Sequence, residues 1–543
     1  MLRVVGHIAL VATLIVASGE PVLAQDAATE HTLILHPDQP GPTIHRDLFG
    51  QFAEHLGEGI YGGIWVGRDS SIPNVRGIRT DVVEALRALK VPNVRWPGGC
   101  YAEEYHWRDG IGPEDQRPTT LNSSWGGVME PNTFGTHEFM DFIDQIGSEA
   151  YLTVNVASGS VEEAADWLEY MTTVQPTTLG KERVANGHSA PYRIKYLGIG
   201  NESWGCGGAM TPETYVAQLR TYSQFVRNYN PAQNPPPAEA GGVRPERSPD
   251  AMQRVAVGPD ATNTAYTEAV MSAWRGGPAW YWTFEALALH FYTWGGTPMR
   301  APAVDFSERD YASFLKDTLR MDRIITTHSE IMDRYDPKKK VALAVDEWGA
   351  WLRPAPGTNP SFLEQENSLR DAILTALNFN IFARHADRVR VANIAQMVNV
   401  LQASIMTDGE KMLLTPTYYV HRMYVPFQDA TLIPVEFDAG QYQNGSISLP
   451  QIDAIAARST EGQVWIALAN VDPSRGATVT ADVSGLSVSA AVGEVLTGPA
   501  VNTGNTFEMP DSVVPRNLKV PAADGKLILS LPPGSVMVVR LEE

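Results

Sequence analysis

The chain of 543 residues carries 62 acidic and 42 basic residues, which gives a formal net charge of −20. A single hydrophobic core seldom grows beyond about 250 to 300 residues, so this length predicts two domains. The negative charge argues against nucleic acid and anionic membrane surfaces as partners and suits a neutral ligand.

The first 24 residues have the pattern of an export signal. Arg3 precedes an apolar run at 8–17, and the small residues at 22 and 24 permit cleavage before Gln25. The run is shorter than the roughly 20 residues that a membrane-spanning helix needs. The sequence therefore predicts a signal peptide over 1–24 and a mature protein exported to the periplasm or the medium, without a membrane anchor.

Short apolar runs alternate with helical patterns between about residue 48 and residue 400, which is typical of βαβ units. Ser160 and Thr211 are placed to begin two of the helices. Eight strands are predicted, at 48–53, 91–96, 151–156, 194–200, 254–258, 286–291, 341–346 and 391–396. They predict a (β/α)8 barrel over 47–426, because no glycine-rich phosphate loop of a dinucleotide-binding sheet follows an early strand.

After about residue 427 the pattern changes to short alternating strands separated by turns, which predicts an all-β sandwich over 427–543. One extended stretch, HTLILHP at 31–37, precedes the barrel and has no helix after it. We expect this stretch, within an N-terminal segment at 25–46, to cross over and pair with the C-terminal sheet.

Polar side chains follow the predicted barrel strands, at the end where barrel enzymes place their reacting groups. They are Glu54, His55, Arg95, Asn201, Glu202, His290, Tyr292, Asp346, Glu347, Gln396 and Asn399. Glu202 and Glu347 end strands four and seven, on opposite sides of the mouth. Asp346 lies one residue earlier than Glu347, so strand alternation predicts that its side chain points to the other face and is structural.

Two carboxyl groups that flank one bond are what glycoside hydrolysis requires. One gives its proton to the leaving oxygen, and the other attacks or stabilises the sugar centre. The acid must keep its proton near neutral pH, which partial burial or a nearby negative charge ensures. Trp125 and Trp351 are the preferred candidates for stacking on a sugar ring, while core packing explains most of the strand-end aromatic residues better.

Several long motifs, in one order, resemble the α-L-arabinofuranosidases of glycoside hydrolase family 51. They include FGQFAEHLGEGIYGGIW, VRWPGGCYAEEYHWRDGIGP, GIGNESWGCGG, VDEWGAW and NIAQMVNVLQASIMTDG, and the resemblance runs from about residue 31 to the C-terminus. It implies a barrel with a jelly-roll-like sandwich that includes an N-terminal strand. The implied activity is exo-acting, retaining removal of terminal α-L-arabinofuranosyl residues from plant polysaccharides or oligosaccharides such as arabinoxylan and arabinan, without metal or cofactor.

The resemblance also implies roles for individual residues. Glu202 would be the general acid/base and Glu347 the nucleophile. The arabinose subsite would be lined or supported by Glu54, Arg95, Cys100, Trp125, Asn201, His290, Tyr292, Trp351 and Gln396. Many members have Asn at Cys100, Asp-Gly-Pro-Trp after the acid/base glutamate and Asn at Gly349. These departures leave the glutamate pair intact but change the side that would hold the polymer.

Several alternatives stay open at this point. Cys100 and Cys206 either form a disulfide or remain two partly buried thiols. The same barrel would also support endo-β-1,4-glucanase or β-xylosidase activity, and a homo-oligomer is compatible with the sequence. A non-catalytic carbohydrate-binding protein would not need the glutamate pair, and metal-dependent hydrolysis lacks an HExxH motif.

Overall fold

The computed structural model describes residues 28–234, 250–274, 283–296 and 301–543, and the predicted signal peptide at 1–24 lies outside them. Its first strand, β1 (Thr29–Leu35), precedes the barrel. The barrel strands are β2 (Gly50–Phe52), β3 (Asn93–Trp96), β4 (Glu149–Val154), β5 (Tyr196–Ile199), β6 (Gln253–Ala256), β7 (Ala286–Thr293), β8 (Ala342–Ala350) and β9 (Val389–Ile394).

These eight strands form a closed parallel barrel in which each strand pairs with the next along the chain. The barrel closes where β9 pairs with β2, with Asn393 opposite Gly50. Each predicted strand overlaps one of them, so the (β/α)8 prediction is confirmed. Short apolar runs suffice to predict such strands because both faces of the sheet are covered.

The α-helices of the described residues are α1 (Thr80–Ala88), α2 (Thr136–Ile146), α3 (Val161–Thr172), α4 (Thr178–Ala185), α5 (Pro212–Phe225), α6 (Thr264–Ala273), α7 (Glu308–Thr318), α8 (Arg320–Tyr335), α9 (Leu369–Arg384) and α10 (Pro416–Met423). Ser160 and Thr211 cap α3 and α5 as predicted, because their hydroxyl oxygens accept backbone N–H groups three residues on. Helix α9 is buried along almost its whole length, since it packs between the barrel and the C-terminal strands.

Strand β8 contains one residue more than its neighbours near its C-terminal end. Val345 pairs with Ala392 on β9, but Trp348 pairs with Ile394, so three steps along β8 match two along β9. The pairing with β7 shifts in the same region. Such a bulge re-aims side chains, and here it turns both carboxylates of the pair 346–347 towards the barrel interior. The expectation from strict alternation that Asp346 points the other way is therefore wrong.

The C-terminal strands form two sheets packed face to face. The strands are β10 (Thr431–Ile433), β11 (Val435–Phe437), β12 (Ile452–Arg458), β13 (Val464–Asn470), β14 (Ala477–Asp482), β15 (Ala490–Leu496), β16 (Arg516–Pro521), β17 (Lys526–Leu531) and β18 (Ser535–Glu542). One sheet has the order β11-β1-β14-β17 and the other the order β10-β12-β13-β18-β15-β16. A shared apolar core that includes Leu33, Ile466 and Leu529 fills the space between them.

Strand β1 lies inside the first of these sheets, antiparallel to β11 and parallel to β14. The predicted crossover of the N-terminal strand into the sandwich is confirmed. Among the described residues, no helix combines the length and the apolar character needed to cross a bilayer.

Candidate active site

Glu202 lies in a tight turn just after β5. Its own φ is +36°, and Gly200 before it has φ +86°, a conformation that glycine adopts without strain. Its Oε1 lies 2.8 Å from Nδ1 of His290. Burial raises the pKa of Glu202, the hydrogen bond with His290 lowers it, and the negative charge of Glu347 raises it again. The net result is a carboxyl group that holds its proton more tightly than usual.

Glu347 lies in the bulged part of β8 and is 5% exposed. Arg95 donates to its Oε1 at 2.7 Å, and the hydroxyl of Tyr292 donates to its Oε2 at 2.8 Å. One oxygen of Glu347 and one oxygen of Glu202 lie within 4.8 Å of each other. The two glutamates predicted from opposite sides of the barrel therefore meet, one bonded to an imidazole and the other to a guanidinium and a phenol.

His290 contacts three carboxylates. Besides Glu202, its Nδ1 lies 3.5 Å from Oε2 of Glu347, and its Nε2 lies 3.3 Å from Oδ1 of Asp346. Burial alone would lower the pKa of His290, but the charges of Glu347 and Asp346 and the hydrogen bonds to Asp346 and Glu202 raise it to about 10. The ring is therefore an imidazolium near neutral pH, set between the two glutamates.

Glu54 accepts hydrogen bonds from several groups beside the glutamate pair. Its Oε1 accepts the N–H groups of Gly99 and Tyr101 at 3.0 Å and the indole N–H of Trp125 at 2.9 Å. Its Oε2 accepts the amide N–H of Gln396 at 3.0 Å. Burial, together with the charge of Glu347, raises the pKa of Glu54 to about 7 although these donors lower it. The structure thus joins three predicted site residues through one carboxylate.

Arg95 bridges both halves of the site, because it also donates to Oδ1 of Asn201 at 2.6 Å.

Cys100 and Cys206 form a disulfide with a Cα–Cα distance of 5.5 Å, which decides between the alternatives that the sequence leaves open. Sγ of Cys206 lies 3.7 Å from Oε2 of Glu202. The disulfide therefore connects the turn after β3 with the turn that carries Glu202.

Trp351 stands beside Tyr292 in an edge-on contact, with ring centroids 5.0 Å apart. Trp294, which is not among the predicted site residues, stacks on Trp351 with ring centroids 4.9 Å apart. Together these rings form an aromatic wall next to the phenol that bonds Glu347. Trp294 lies in a strand-end loop, two residues after Tyr292, and this position is the feature of the sequence by which it could have been predicted.

Two other strand-end candidates lie apart from this cluster. His55 is buried against Glu130 and the indole N–H of Trp96, and Asn399 bonds Glu58 and Thr407. Both serve the packing of neighbouring loops.

The ligand-type atoms of Glu202, His290 and Glu347 lie close enough together to hold a cation. Hydrogen bonding between imidazolium and carboxylates already accounts for their arrangement.

Known proteins share this architecture and sequence. Residues 85–235 match a family model described as the alpha-L-arabinofuranosidase 1 domain, and residues 346–535 match one described as the alpha-L-arabinofuranosidase C-terminal domain. An enzyme of Bacteroides ovatus, named intracellular exo-alpha-L-arabinofuranosidase, is 40% identical over 98% of this chain and 99% of its own length. The chain belongs to the α-L-arabinofuranosidases of glycoside hydrolase family 51.

Solved structures of family 51 arabinofuranosidases match over nearly the whole chain. The enzyme from Xanthomonas axonopodis pv. citri has 47% sequence identity and a TM-score of 0.88, covering 95% of this chain and 100% of that one. The thermostable enzyme from Thermotoga petrophila has 30% identity and a TM-score of 0.80, covering 94% and 100%. The resemblance seen in the sequence motifs is thereby confirmed.

The comparison with this family corrects one prediction. The sequence pattern predicts a signal peptide and an exported protein, whereas the Bacteroides ovatus relative is named an intracellular enzyme. The predictions of a signal peptide and of a periplasmic or extracellular location are therefore wrong by this comparison. The physical reason is that the pattern is weak, since it consists of one basic residue, a ten-residue run that contains Thr13, and two small residues.

Proposed function

We propose that this chain removes terminal α-L-arabinofuranosyl residues from arabinose-containing glycans by a retaining, two-step displacement, with Glu202 as acid/base and Glu347 as nucleophile. The observation that carries this proposal is the approach of the two carboxylates to within 4.8 Å, each with different partners. Retaining glycosidases hold their carboxyl groups about 5 to 5.5 Å apart, whereas inverting enzymes need about 6.5 to 9.5 Å to admit a water.

The surroundings of Glu202 suit an acid. Its raised pKa keeps the proton available for the leaving oxygen, and the same group, once ionised, can activate a water in the second step. The imidazolium of His290 at 2.8 Å orients the carboxyl group and stabilises its negative form after proton transfer. Glu202 can thus alternate between the two roles that the mechanism asks of one residue.

The surroundings of Glu347 suit a nucleophile. Arg95 provides a full positive charge at 2.7 Å, and Tyr292 adds a hydrogen bond to the other oxygen. In the first step Glu347 forms a bond to the anomeric carbon while the bond to the leaving oxygen breaks, and that oxygen takes the proton of Glu202. In the second step water, deprotonated by Glu202, replaces Glu347, which leaves as a carboxylate.

The remaining predicted residues would shape the subsite for one furanose ring. Asn201, Glu54 and Gln396 present polar groups that can bond sugar hydroxyls, and Trp125 and Trp351 present flat apolar surfaces. The disulfide at Cys100 replaces the polar side chain that many members have at this position. We infer that plant polymers such as arabinoxylan and arabinan are substrates, and we retain 47–426 and 427–543 as the proposed domain limits.

Two variants and one stereochemical measurement test this function. Glu202→Ala should lose about a hundredfold or more of kcat/KM with poor leaving groups, because general acid catalysis contributes about that much, and azide should restore turnover. Glu347→Ala should be nearly inactive with every substrate. Proton NMR of the first product should show retention. Inversion, or wild-type rates in both variants, would refute the assignment.

A substrate panel separates this function from its alternatives. Aryl arabinofuranoside should be turned over far faster than aryl xyloside, and carboxymethylcellulose should not lose viscosity. Faster cleavage of the xyloside, or a rapid fall in viscosity, would favour β-xylosidase or endoglucanase activity instead. All three substrates should be measured with one preparation, with Glu347→Ala as the blank.

A further inference from the structure

The proposed mechanism does not use one buried carboxylate beside the site. Glu103 ends the short 3-10 turn Cys100–Glu103 and is 2% exposed. Its Oε1 accepts the backbone N–H of Asn201 at 2.5 Å. Its Oε2 accepts the backbone N–H groups of Val156 and Ala157 at 2.7 and 2.8 Å. One side chain therefore holds the chain just beyond β4 and just beyond β5.

The backbone that Glu103 holds leads directly into Glu202. A Cβ atom on Gly200 would lie 3.0 Å from Oε1 of Glu103, so glycine allows the close approach. On the other side, a Cβ atom on Gly207 would lie 1.8 Å from the carbonyl oxygen of Asn201. Asn201 is thus enclosed between Glu103 and the following loop, and its position sets where the next side chain begins.

The bonding of Glu103 is unusual for a buried acid. Among the residues that the structure describes, its side chain has three backbone N–H donors and no ion pair with Lys, Arg or His. Burying a carboxylate without a paired cation costs free energy, and burial raises the pKa of Glu103 to about 7 although the donors lower it. Such groups are concentrated at functional sites, and this one bonds the residue next to Glu202.

We propose that Glu103 is a positioning residue for the reaction: its carboxylate fixes the backbone of Asn201 and thereby the distance at which the carboxyl group of Glu202 meets the glycosidic oxygen. The inference rests on the proposed acid/base role of Glu202. A displacement of about 1 Å in a reacting group can lower the rate about a hundredfold. The loss of one hydrogen bond between Glu103 and the backbone is therefore expected to lower the rate by shifting Glu202.

The test compares leaving groups. In Glu103→Gln, an amide NH2 replaces one of the acceptor oxygens, so either Asn201 or the pair 156–157 loses its partner. For phenyl arabinofuranoside, which needs protonation, kcat/KM should fall about tenfold or more. For 4-nitrophenyl arabinofuranoside, which leaves without much help, the fall should be less than about threefold. Glu103→Asp, which keeps the charge but is too short to reach both strands, should show the same contrast.

Matched controls make the result decisive. Glu138 is also buried, accepts the N–H of Gly135 and pairs with Arg117, so Glu138→Gln removes a comparable acceptor elsewhere. This control should keep the wild-type ratio of the two kcat/KM values even if its Tm falls. Equal losses on both substrates in the Glu103 variants, or no loss, would overturn the positioning role. If Glu202→Ala itself showed no dependence on the leaving group, the proposed function would fail instead.

Discussion

Nδ1 of His290 lies 2.8 Å from Oε1 of Glu202, and this contact pairs an imidazolium with the group proposed to carry the catalytic proton. The charges of Glu347 and Asp346 and the hydrogen bonds to Asp346 and Glu202 raise the pKa of His290 to about 10, so the ring is an imidazolium near neutral pH. The pKa of Glu202 is therefore set by opposing influences: burial and the charge of Glu347 raise it, and the neighbouring imidazolium lowers it.

Replacing this cation should move the pH profile. Activity requires Glu202 to be protonated, so it is lost as pH rises through the pKa of that group. Removing His290 removes an influence that lowers this pKa, and an adjacent opposite charge typically shifts a pKa by about 1 to 3 units. In His290→Asn the alkaline limb of kcat/KM should move up by about one pH unit. An unmoved limb, or one at lower pH, would contradict this account.

The hydrogen bond from Tyr292 to Glu347 should matter for rate. Its 2.8 Å bond ends on a charged acceptor, and such bonds contribute about 1.5 to 3 kcal/mol. Tyr292→Phe should therefore lower kcat/KM by about tenfold to a hundredfold, with the same loss for good and poor leaving groups because the nucleophile attacks both. A loss confined to poor leaving groups would place Tyr292 with the acid instead. Matched aryl arabinofuranosides measure this.

The disulfide should stabilise the chain. Cys100 and Cys206 are 106 residues apart, and a disulfide that closes a long loop typically contributes about 2 to 4 kcal/mol. Cys206→Ser should lower the Tm, and dithiothreitol should lower the Tm of the wild type by a similar amount. The matched control is the effect of dithiothreitol on Cys206→Ser, which should be nil. An unchanged Tm in the variant would contradict the prediction.

Glu54 should make the free energy of unfolding depend on pH. Its pKa is raised from 4.5 to about 7 in the folded chain, so the folded state binds the proton more tightly than the unfolded state. This contribution to the free energy of unfolding is complete below pH 4.5 and is lost as the pH rises through about 7. The loss amounts to about 3 kcal/mol. The Tm of wild type relative to Glu54→Gln should therefore be higher at pH 5 than at pH 8. A Tm difference between the two proteins that is the same at both pH values would refute this prediction.

The barrel and the glutamate pair could be predicted because both depend on local patterns. A buried parallel strand needs a short apolar run, and a group at its C-terminal end must lie at the mouth whatever the details of packing. Glu202 and Glu347 follow from these two rules alone. The motifs shared with the family then associate the pair with Glu54, His290 and Gln396. In the structure His290 bonds Glu202, and Gln396 bonds Glu54.

The remaining features depend on contacts that no local pattern contains. Asp346 faces His290 because β8 has an extra residue, and one such residue changes the side to which a carboxylate points. Glu103 bonds backbone groups 53, 54 and 98 residues away, and backbone donors leave no mark in a sequence. The disulfide likewise required a distance between two turns that only the closed barrel defines.

Strand β1 has a consequence for how the protein is made. Leu35 pairs with Val435, so 400 residues must leave the ribosome between the two halves of that contact. At roughly 5 to 20 residues per second, this takes about 20 to 80 seconds. During that time β1 lacks its partner strands, while the barrel residues are synthesised after it. This strand, the first among the described residues, is thus among the last to acquire its partners.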